Sequence, residues 1–368
     1  MSAGAEPDTQ AAAWMGRALQ LAERGRYSSF PNPRVGCVVV RRGRIVGEGW
    51  HVRAGEAHAE VHALDAAGEQ ARGAEVFVTL EPCAHHGRTP PCVDALIDAG
   101  VARVWAAMRD PDPRVAGRGI QRLRAAGIEV RVGLLESAAQ QLNRGFVSRL
   151  TRGRPWVTLK LAASLDGRTA MANGESQWIT GADARADVHR LRAEAGAVLT
   201  GAGTVIADDP SLNVRQFDAR PRVPDRIVLD SHARVPATAR VWNADGARCF
   251  HLCGPRPASV AVEGVQRIGL PLDADGRVDL PSALNALAKH EINQVLVECG
   301  PTLAGALLAA RRVDELVLYM APRLLGEAAR GLAALPGIEH LAQALSIEFT
   351  HIRRIGRDLR ITAVPIQE

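Results

Sequence analysis

The chain has 368 residues, 47% hydrophobic and 23% charged, with 45 Lys+Arg against 40 Asp+Glu for a net charge of +5. At roughly 150 residues per domain this predicts two domains or three, and the composition excludes a chain that is disordered over most of its length. No run approaches the ~18 apolar residues of a membrane helix, Met1 to Gln10 lacks a signal-peptide pattern, and six cysteines are too few for a disulfide scaffold, so a cytoplasmic enzyme or binding protein is expected.

Trp14, Ala18, Leu19 and Ala22 recur at helical spacing and predict a helix over 11–24. Strands follow at 35–40 and 45–50, turned around Gly43. A helix at 57–67 and a strand at 75–80 lead into a loop punctuated by prolines. Next come a helix at 93–98, a strand at 102–107, a short helix at 120–125 and a strand at 128–132. This order implies a sheet with helices on its faces. A helix over 136–150 ends in Thr151-Arg152-Gly153-Arg154-Pro155, which sets the expected boundary between a domain over 1–150 and one over 151–368. The second part is again α/β. Strands are expected at 157–162, 197–200, 226–229 and 294–298, and helices at 182–195, 281–289 and 301–309. From Leu316 on the chain reads as strands, with a hairpin at Gly356-Arg357-Asp358. The Pro/Gly-rich segment 244–272 has no assignment.

His58-Ala59-Glu60 opens a predicted helix, Pro82-Cys83 follows a predicted strand, and Pro91-Cys92 opens another helix. This is the H-x-E…P-C…C pattern of zinc-dependent deaminases. One imidazole and two thiolates leave a tetrahedral zinc with one position open to water. A carboxylate outside the ligand set must then move protons, and Glu60 fits that role. Cys83 and Cys92 are both expected at helix starts, where exposed N–H groups favour thiolate. Residues i and i+2 of a helix point about 200° apart. His58 and Glu60 therefore share a site only if His58 lies in the cap or first turn.

A lone H-x-E is a chance pattern; its combination with two Pro-Cys steps is specific. His62, four residues after His58, resembles a metalloprotease helix, but that motif needs Glu directly after the first His. His62 is read as a helix-face residue and Cys37 as core. The cysteines lie nine positions apart, farther than in most deaminases. The loop between them carries His85, His86 and Arg88, which can meet a polar substrate beside the metal. Asn32 can read a pyrimidine edge, and His51 is a weaker pocket residue.

Two glycine-bearing turns follow strands of the second part: Gly201-Ala-Gly203-Thr204 and Gly300-Pro-Thr302-Leu-Ala-Gly305. Backbone N–H groups in such turns can approach a cofactor phosphate, although neither is the dinucleotide fingerprint.

Glu81 to Cys92, together with Pro31-Asn32-Pro33-Arg34-Val35-Gly36, resembles the bifunctional deaminase/reductase family of riboflavin biosynthesis. The likeness continues through Lys160 to Gly167, Gly174 to Thr180, His189 to Arg192, Gly203 to Leu212 and Glu298 to Ala304, and covers roughly residues 11–365. It implies a cytidine deaminase-like αβα domain followed by a dihydrofolate reductase-like α/β domain. The first would remove the 2-amino group of a phosphoribosylaminopyrimidine with one Zn²⁺. The second would reduce the ribosyl group to ribityl with NADPH. It further implies His58, Cys83 and Cys92 as metal ligands and Glu60 as catalytic residue. Ala162, Trp178, Thr204, Asp208, Gly300, Pro301, Thr302, Leu303, Ala304, Gly305 and Ala306 would line the NADPH site. Ser176, Arg192, Leu212, Arg215 and Glu298 would hold substrate, with Arg192 and Arg215 suited to grip phosphate. A homo-oligomer is implied, dimer or tetramer, with no membrane or nucleic-acid partner. Lys160, Asp208 and Glu298 are each chemically able to donate the proton of the reductive step, and the sequence does not rank them. A tRNA-editing adenosine deaminase would also explain H-x-E…P-C and the positive charge. It predicts closely spaced cysteines and leaves the second half without a role.

Overall fold

The computed structural model of the protein describes residues 9–85, 90–113, 115–215, 222–243, 245–255 and 262–366. They fall into two units, Met1–Gly153 and Arg154–Glu368.

In the first unit the elements are α1 (Thr9–Ala22), β1 (Gly36–Arg41), β2 (Arg44–Trp50), α2 (Ala59–Ala67), β3 (Glu75–Val78), α3 (Cys92–Asp98), β4 (Arg103–Ala106), α4 (Arg118–Ala125), β5 (Glu129–Val132), α5 (Glu136–Leu142) and α6 (Arg144–Arg152). The sheet order is β2-β1-β3-β4-β5. β1 runs antiparallel to β2 and β3, and β3, β4 and β5 are parallel. Side chains alternate along β2, so Glu48 faces α1, where it meets Arg17, while Gly47 and Gly49 face α2. A Cβ on Gly47 would lie 2.1 Å from the Ala63 carbonyl oxygen, and one on Gly49 would lie 2.3 Å from that of Ala59. Only glycine lets α2 rest directly on the strand, and α2 begins at the chemistry. The core of this layer is aliphatic around Phe77, which packs on Trp14 and stacks on Trp105.

The helix expected over 136–150 is two helices, α5 and α6, broken at Asn143. The Asn143 side chain accepts from the Arg34 N–H at 2.8 Å and donates to its carbonyl at 2.9 Å. A long-range bond of this kind competes with helix continuity and leaves no mark in local periodicity.

The second unit contains β6 (Trp156–Ser164), β7 (Arg168–Ala170), α7 (Ala182–Ala195), β8 (Ala197–Gly201), α8 (Ala202–Asp208), β9 (Asp225–Leu229), β10 (Cys249–Cys253), β11 (Val265–Gly269), α9 (Leu280–Lys289), β12 (Gln294–Glu298), α10 (Pro301–Ala309), β13 (Glu315–Ala321), β14 (Arg330–Gly331), β15 (Ile347–Ile355) and β16 (Asp358–Pro365). Its main sheet has the order β11-β10-β9-β8-β12-β6-β13-β16-β15. It is parallel from β11 to β13 and antiparallel beyond. β7 and β14 pair separately. The unassigned segment 244–272 supplies β10 and β11. All five residues of β10 are buried, as in the interior of a parallel sheet, so the alternation that marks a half-exposed strand is missing. No helix among the described residues is long and apolar enough to cross a membrane.

Candidate active sites of the two units

His58 is the N-cap of α2, with extended backbone (φ −79°, ψ 166°), and Glu60 lies in the first turn. The cap geometry resolves the i, i+2 problem, because His58 precedes the helical screw. Cys92 is the first residue of α3. Cys83, expected at a helix start, instead lies in the irregular segment after β3. The α3 terminus reaches it through space: the Cys92 N–H donates to Cys83 Sγ at 3.3 Å. His58 Nδ1 lies 3.0 Å from Cys92 Sγ and 3.6 Å from Cys83 Sγ, and the three donor atoms lie within 4.8 Å of one another. For a tetrahedral zinc the N···S edge is about 3.5 Å, so this donor set fits that ion.

Charge in this corner is tightly controlled. Bonds from the Cys92 thiol, His58 and the Cys92 N–H bring Cys83 down to about 4 against its burial. The same bond and burial push Cys92 up. A cation between the sulfurs removes this split, since a coordinating thiol is deprotonated outright. Glu60 is 3% exposed, and burial pushes it up to about 7 against the nearby His58.

Asn32 and His51 are brought together: Asn32 Nδ2 lies 3.0 Å from His51 Nε2. His51 Nδ1 faces the Ala57 carbonyl at 3.2 Å. A carbonyl can only accept, so Nδ1 carries the proton and Nε2 accepts from the Asn32 amide. Burial lowers the His51 pKa and favours this neutral ring. The His51 and His58 rings meet edge to face at 5.4 Å. His85 is exposed, Cys37 is buried in β1, and His62 lies on α2. His86 and Arg88 lie outside the described residues.

In the second unit β8 and β12 are adjacent and parallel, so the two glycine turns at their ends adjoin. A Cβ on Gly201 would meet the Leu303 side chain at 3.4 Å, and one on Gly300 would lie 4.0 Å from Thr204 Oγ1. Two helices, α8 and α10, thus start side by side at the carboxyl ends of parallel strands, where such sheets bind ligands. These bare backbone turns suit a dinucleotide phosphate. Thr204, Pro301, Thr302, Leu303 and Ala306 keep accessible surface there, and Asp208 ends α8 exposed. Ala304 and Gly305 are both buried. A Cβ on Gly305 would lie 1.8 Å from the Ala334 carbonyl oxygen, so this glycine serves packing. Trp178 is 60% exposed and lines a groove of about 590 Å³ with Thr180, Arg185, Arg323 and Arg357, which none of the other nominated cofactor residues line.

Lys160 on β6 and Glu298 on β12 are register partners, with Lys160 Nζ 3.7 Å from Glu298 Oε2. Arg192, on α7, grips Glu298 through Nε at 2.5 Å and Nη2 at 3.1 Å and donates Nη1 to the Asn213 carbonyl at 2.9 Å. Its fork faces Glu298 in this arrangement. Arg215 is exposed, Leu212 is buried beside it in sequence, and Ser176 is half-buried. Burial opposes ionisation of Glu298, but Arg192 and Lys160 overcome it and hold the carboxyl at about 2. Burial lowers the Lys160 pKa against the pull of Glu298.

An ionised Glu298 cannot donate a proton at neutral pH. Its depressed pKa also makes a stability prediction. The contribution is present above the unfolded value of about 4.3 and is lost as pH falls through about 2. Replacing Glu298 with Gln is expected to cost about 3 kcal/mol at pH 7, because two cations lose their partner. The difference from wild type should shrink as pH drops from about 4 to 2. Denaturant unfolding across that range reads it; a constant difference down to pH 2 would assign the loss to packing.

One unit thus brings together the donor set of a zinc-dependent deaminase, and the other two glycine turns of the kind that accept a nucleotide phosphate, as expected of a fused deaminase and reductase. A model of the cytidine and deoxycytidylate deaminase zinc-binding region matches residues 8–108, and one of the RibD C-terminal domain matches residues 155–361. The chain belongs to the RibD family of bifunctional riboflavin biosynthesis enzymes. It is 54% identical to riboflavin biosynthesis protein RibD of Escherichia coli over 94% of this chain and 97% of the relative. Against Acinetobacter baumannii RibD the TM-score is 0.91 at 45% identity, covering 98% of this chain and 99% of that one. Against a diaminohydroxyphosphoribosylaminopyrimidine deaminase/5-amino-6-(5-phosphoribosylamino)uracil reductase of Thermotoga maritima it is 0.85 at 34% identity, covering 97% and 99%.

Proposed function

We propose that the N-terminal unit hydrolytically removes the 2-amino group of 2,5-diamino-6-(5-phosphoribosylamino)pyrimidin-4-one, and that the C-terminal unit reduces the ribosyl side chain of the product with NADPH, giving 5-amino-6-(5-phosphoribitylamino)uracil. The observation that carries the first half is the convergence of His58, Cys83 and Cys92 donor atoms within 4.8 Å beside a buried Glu60. Those three residues hold zinc, which when bound supplies the Lewis acid that makes water nucleophilic at neutral pH. Glu60 takes one proton from that water to the pyrimidine ring nitrogen, then carries the second, from the hydroxyl so formed, to the amino group that departs as ammonia. Asn32, oriented by His51, presents its amide oxygen to the pyrimidine edge.

In the second unit NADPH supplies the hydride. The adjoining turns at Gly201 and Gly300, with Thr204 and the start of α10, hold its phosphates; Ala162 on β6 and Trp178 complete the expected contacts. Arg192 positions Glu298 as the fixed negative charge beside the ribose. The proton donor is then Lys160 or Asp208. The chain self-associates, a reading supported by the sheet-edge strand β15, where Phe349 and Ile352 are 58% and 56% exposed; sedimentation of the whole chain tests it.

The deciding experiment supplies the diaminopyrimidine and NADPH to the whole chain and follows ammonia and NADPH together. Ammonia release should precede NADPH oxidation. After zinc is removed with a chelator, only the deaminated compound should still oxidise NADPH. Oxidation without prior deamination would overturn the order.

With Arg192 tied to Glu298, phosphate recognition falls to Arg215. Arg215→Ala is expected to raise KM for the phosphorylated uracil substrate at least about tenfold, or ~1.4 kcal/mol, and to leave the dephosphorylated analogue nearly unchanged. Steady-state kinetics on both compounds checks this. Equal losses on both would show that Arg215 holds the fold or the base.

A further inference from the structure

Glu81 directly precedes the Pro82-Cys83 step, yet nothing in the chemistry above uses its carboxyl group. The residue is 3% exposed. One carboxylate oxygen accepts backbone N–H groups from Gly119 at 3.0 Å and Ile120 at 3.2 Å, and the other from Gly117 at 3.0 Å and Asp110 at 3.2 Å. Gly117 is the N-cap of α4, and its left-handed backbone (φ +80°) turns the chain into that helix. Glycine supplies no cap side chain, and the helix starts with arginine. From the segment after β3, Glu81 therefore does for α4 what Gly117, lacking a side chain, cannot, placing a carboxyl group where the helix leaves its N–H groups unpaired.

The contact is close by construction. A Cβ on Gly119 would lie 2.0 Å from the Pro82 carbonyl oxygen, so the start of α4 presses on the residue before Cys83. The next turn of α4 holds the other side: Arg122 Nη1 donates to the Ala84 carbonyl at 3.2 Å, and Nη2 pairs with Asp94 in the first turn of α3. One short helix thus touches the residues flanking Cys83 on both sides and the helix that begins at Cys92.

We propose that Glu81 is a positioning residue for deamination: it fastens α4 against the Cys83 corner, so that α4 braces both cysteines at the separation the metal requires. This rests on the zinc reading of His58, Cys83 and Cys92. Glu81 touches neither substrate nor metal and acts through the backbone. A carboxamide of the same shape has one accepting atom where Glu81 has two, so Glu81→Gln leaves part of the N–H set facing a donor.

The test measures zinc affinity of the full chain against a chromophoric chelator. Glu81→Gln should weaken zinc about 10–100-fold, the usual effect of losing a supporting group behind the ligands. Its kcat for deamination should fall while KM stays within about threefold. Arg122→Ala, an exposed change that cuts the Ala84 and Asp94 contacts, should weaken zinc in the same direction by less. Leu123→Ala removes a buried side chain of the same helix but leaves the Glu81 bonds, and controls for loss of stability alone. Zinc affinity of Glu81→Gln within twofold of wild type, or no weaker than that of Leu123→Ala, overturns the proposal. If Glu81→Gln does not fold, Arg122→Ala decides: weakened zinc supports the brace, and unchanged zinc overturns it. A wild-type chain that binds no zinc overturns the metal reading itself.

Discussion

Exchanging Glu60 for glutamine is expected to lower kcat for ammonia release about 10²–10⁴-fold, the usual worth of a positioned acid–base group, with zinc content unchanged. The side chain is 3% exposed at the first turn of α2, and glutamine fills the same space. The amide can still hydrogen-bond to substrate but cannot carry a proton between ring nitrogen and leaving group. Glu60 is not one of the three donors, His58, Cys83 and Cys92, that converge within 4.8 Å, although its carboxyl is in hydrogen-bonding contact with the Cys92 thiol. Metal analysis beside a deamination assay separates the possibilities: loss of zinc would make Glu60 a ligand, and near-normal turnover would remove it from proton transfer.

Cys92→Ser is expected to lose both the metal and deamination. Cys92 is fully buried, opens α3, and offers Cys83 a backbone N–H as well as supplying its own sulfur. Serine keeps the N–H but replaces a soft thiolate with a hydroxyl that ionises poorly and binds zinc weakly. Reduction of the deaminated substrate should stay within about twofold, because every residue nominated for that step lies beyond Arg154 and none requires the metal. Metal content and the two half-reactions, measured on one preparation, check this. Parallel loss of reduction would show that the second unit depends on the first for its fold.

The chemistry of the deaminase corner was legible because it is written in residue types with few alternative uses. His58, Glu60, Cys83 and Cys92 form a pattern whose spacing requires His58 in the cap or first turn of α2, and it is the cap. What escaped the sequence depends on contacts between distant backbones. Cys83 draws on the α3 terminus without starting a helix, because Cys92 folds back onto it. Asn143 looks like an ordinary helical position until Arg34 claims its amide. Glu81 reads as one letter of a motif, and only Gly117 and Gly119, thirty-odd residues on, hint that a helix start is docked there. Arg192 and Arg215 look alike as phosphate forks. The strand register that places Glu298 beside Lys160 is what gives Arg192 a different partner. β10 was invisible for the opposite reason, since complete burial erases the alternation by which strands are recognised.

The position of β12 bears on how the second unit is made. β12 pairs with β6 on one edge and β8 on the other, bringing Trp156 against Gln294. Contacts between residues this distant in sequence, roughly 140 apart, close slowly because the intervening chain must first lose its freedom. During synthesis β6 and β8 emerge long before β12 and have no pairing with each other in the finished sheet. Until Gln294–Glu298 arrives, each presents an open hydrogen-bonding edge, the kind of template on which chains stick to one another. The strand that closes this gap also delivers Glu298 and Gly300. The growing chain is therefore open to aggregation until Gln294–Glu298 pairs with both strands, and a chaperone would protect it in that interval.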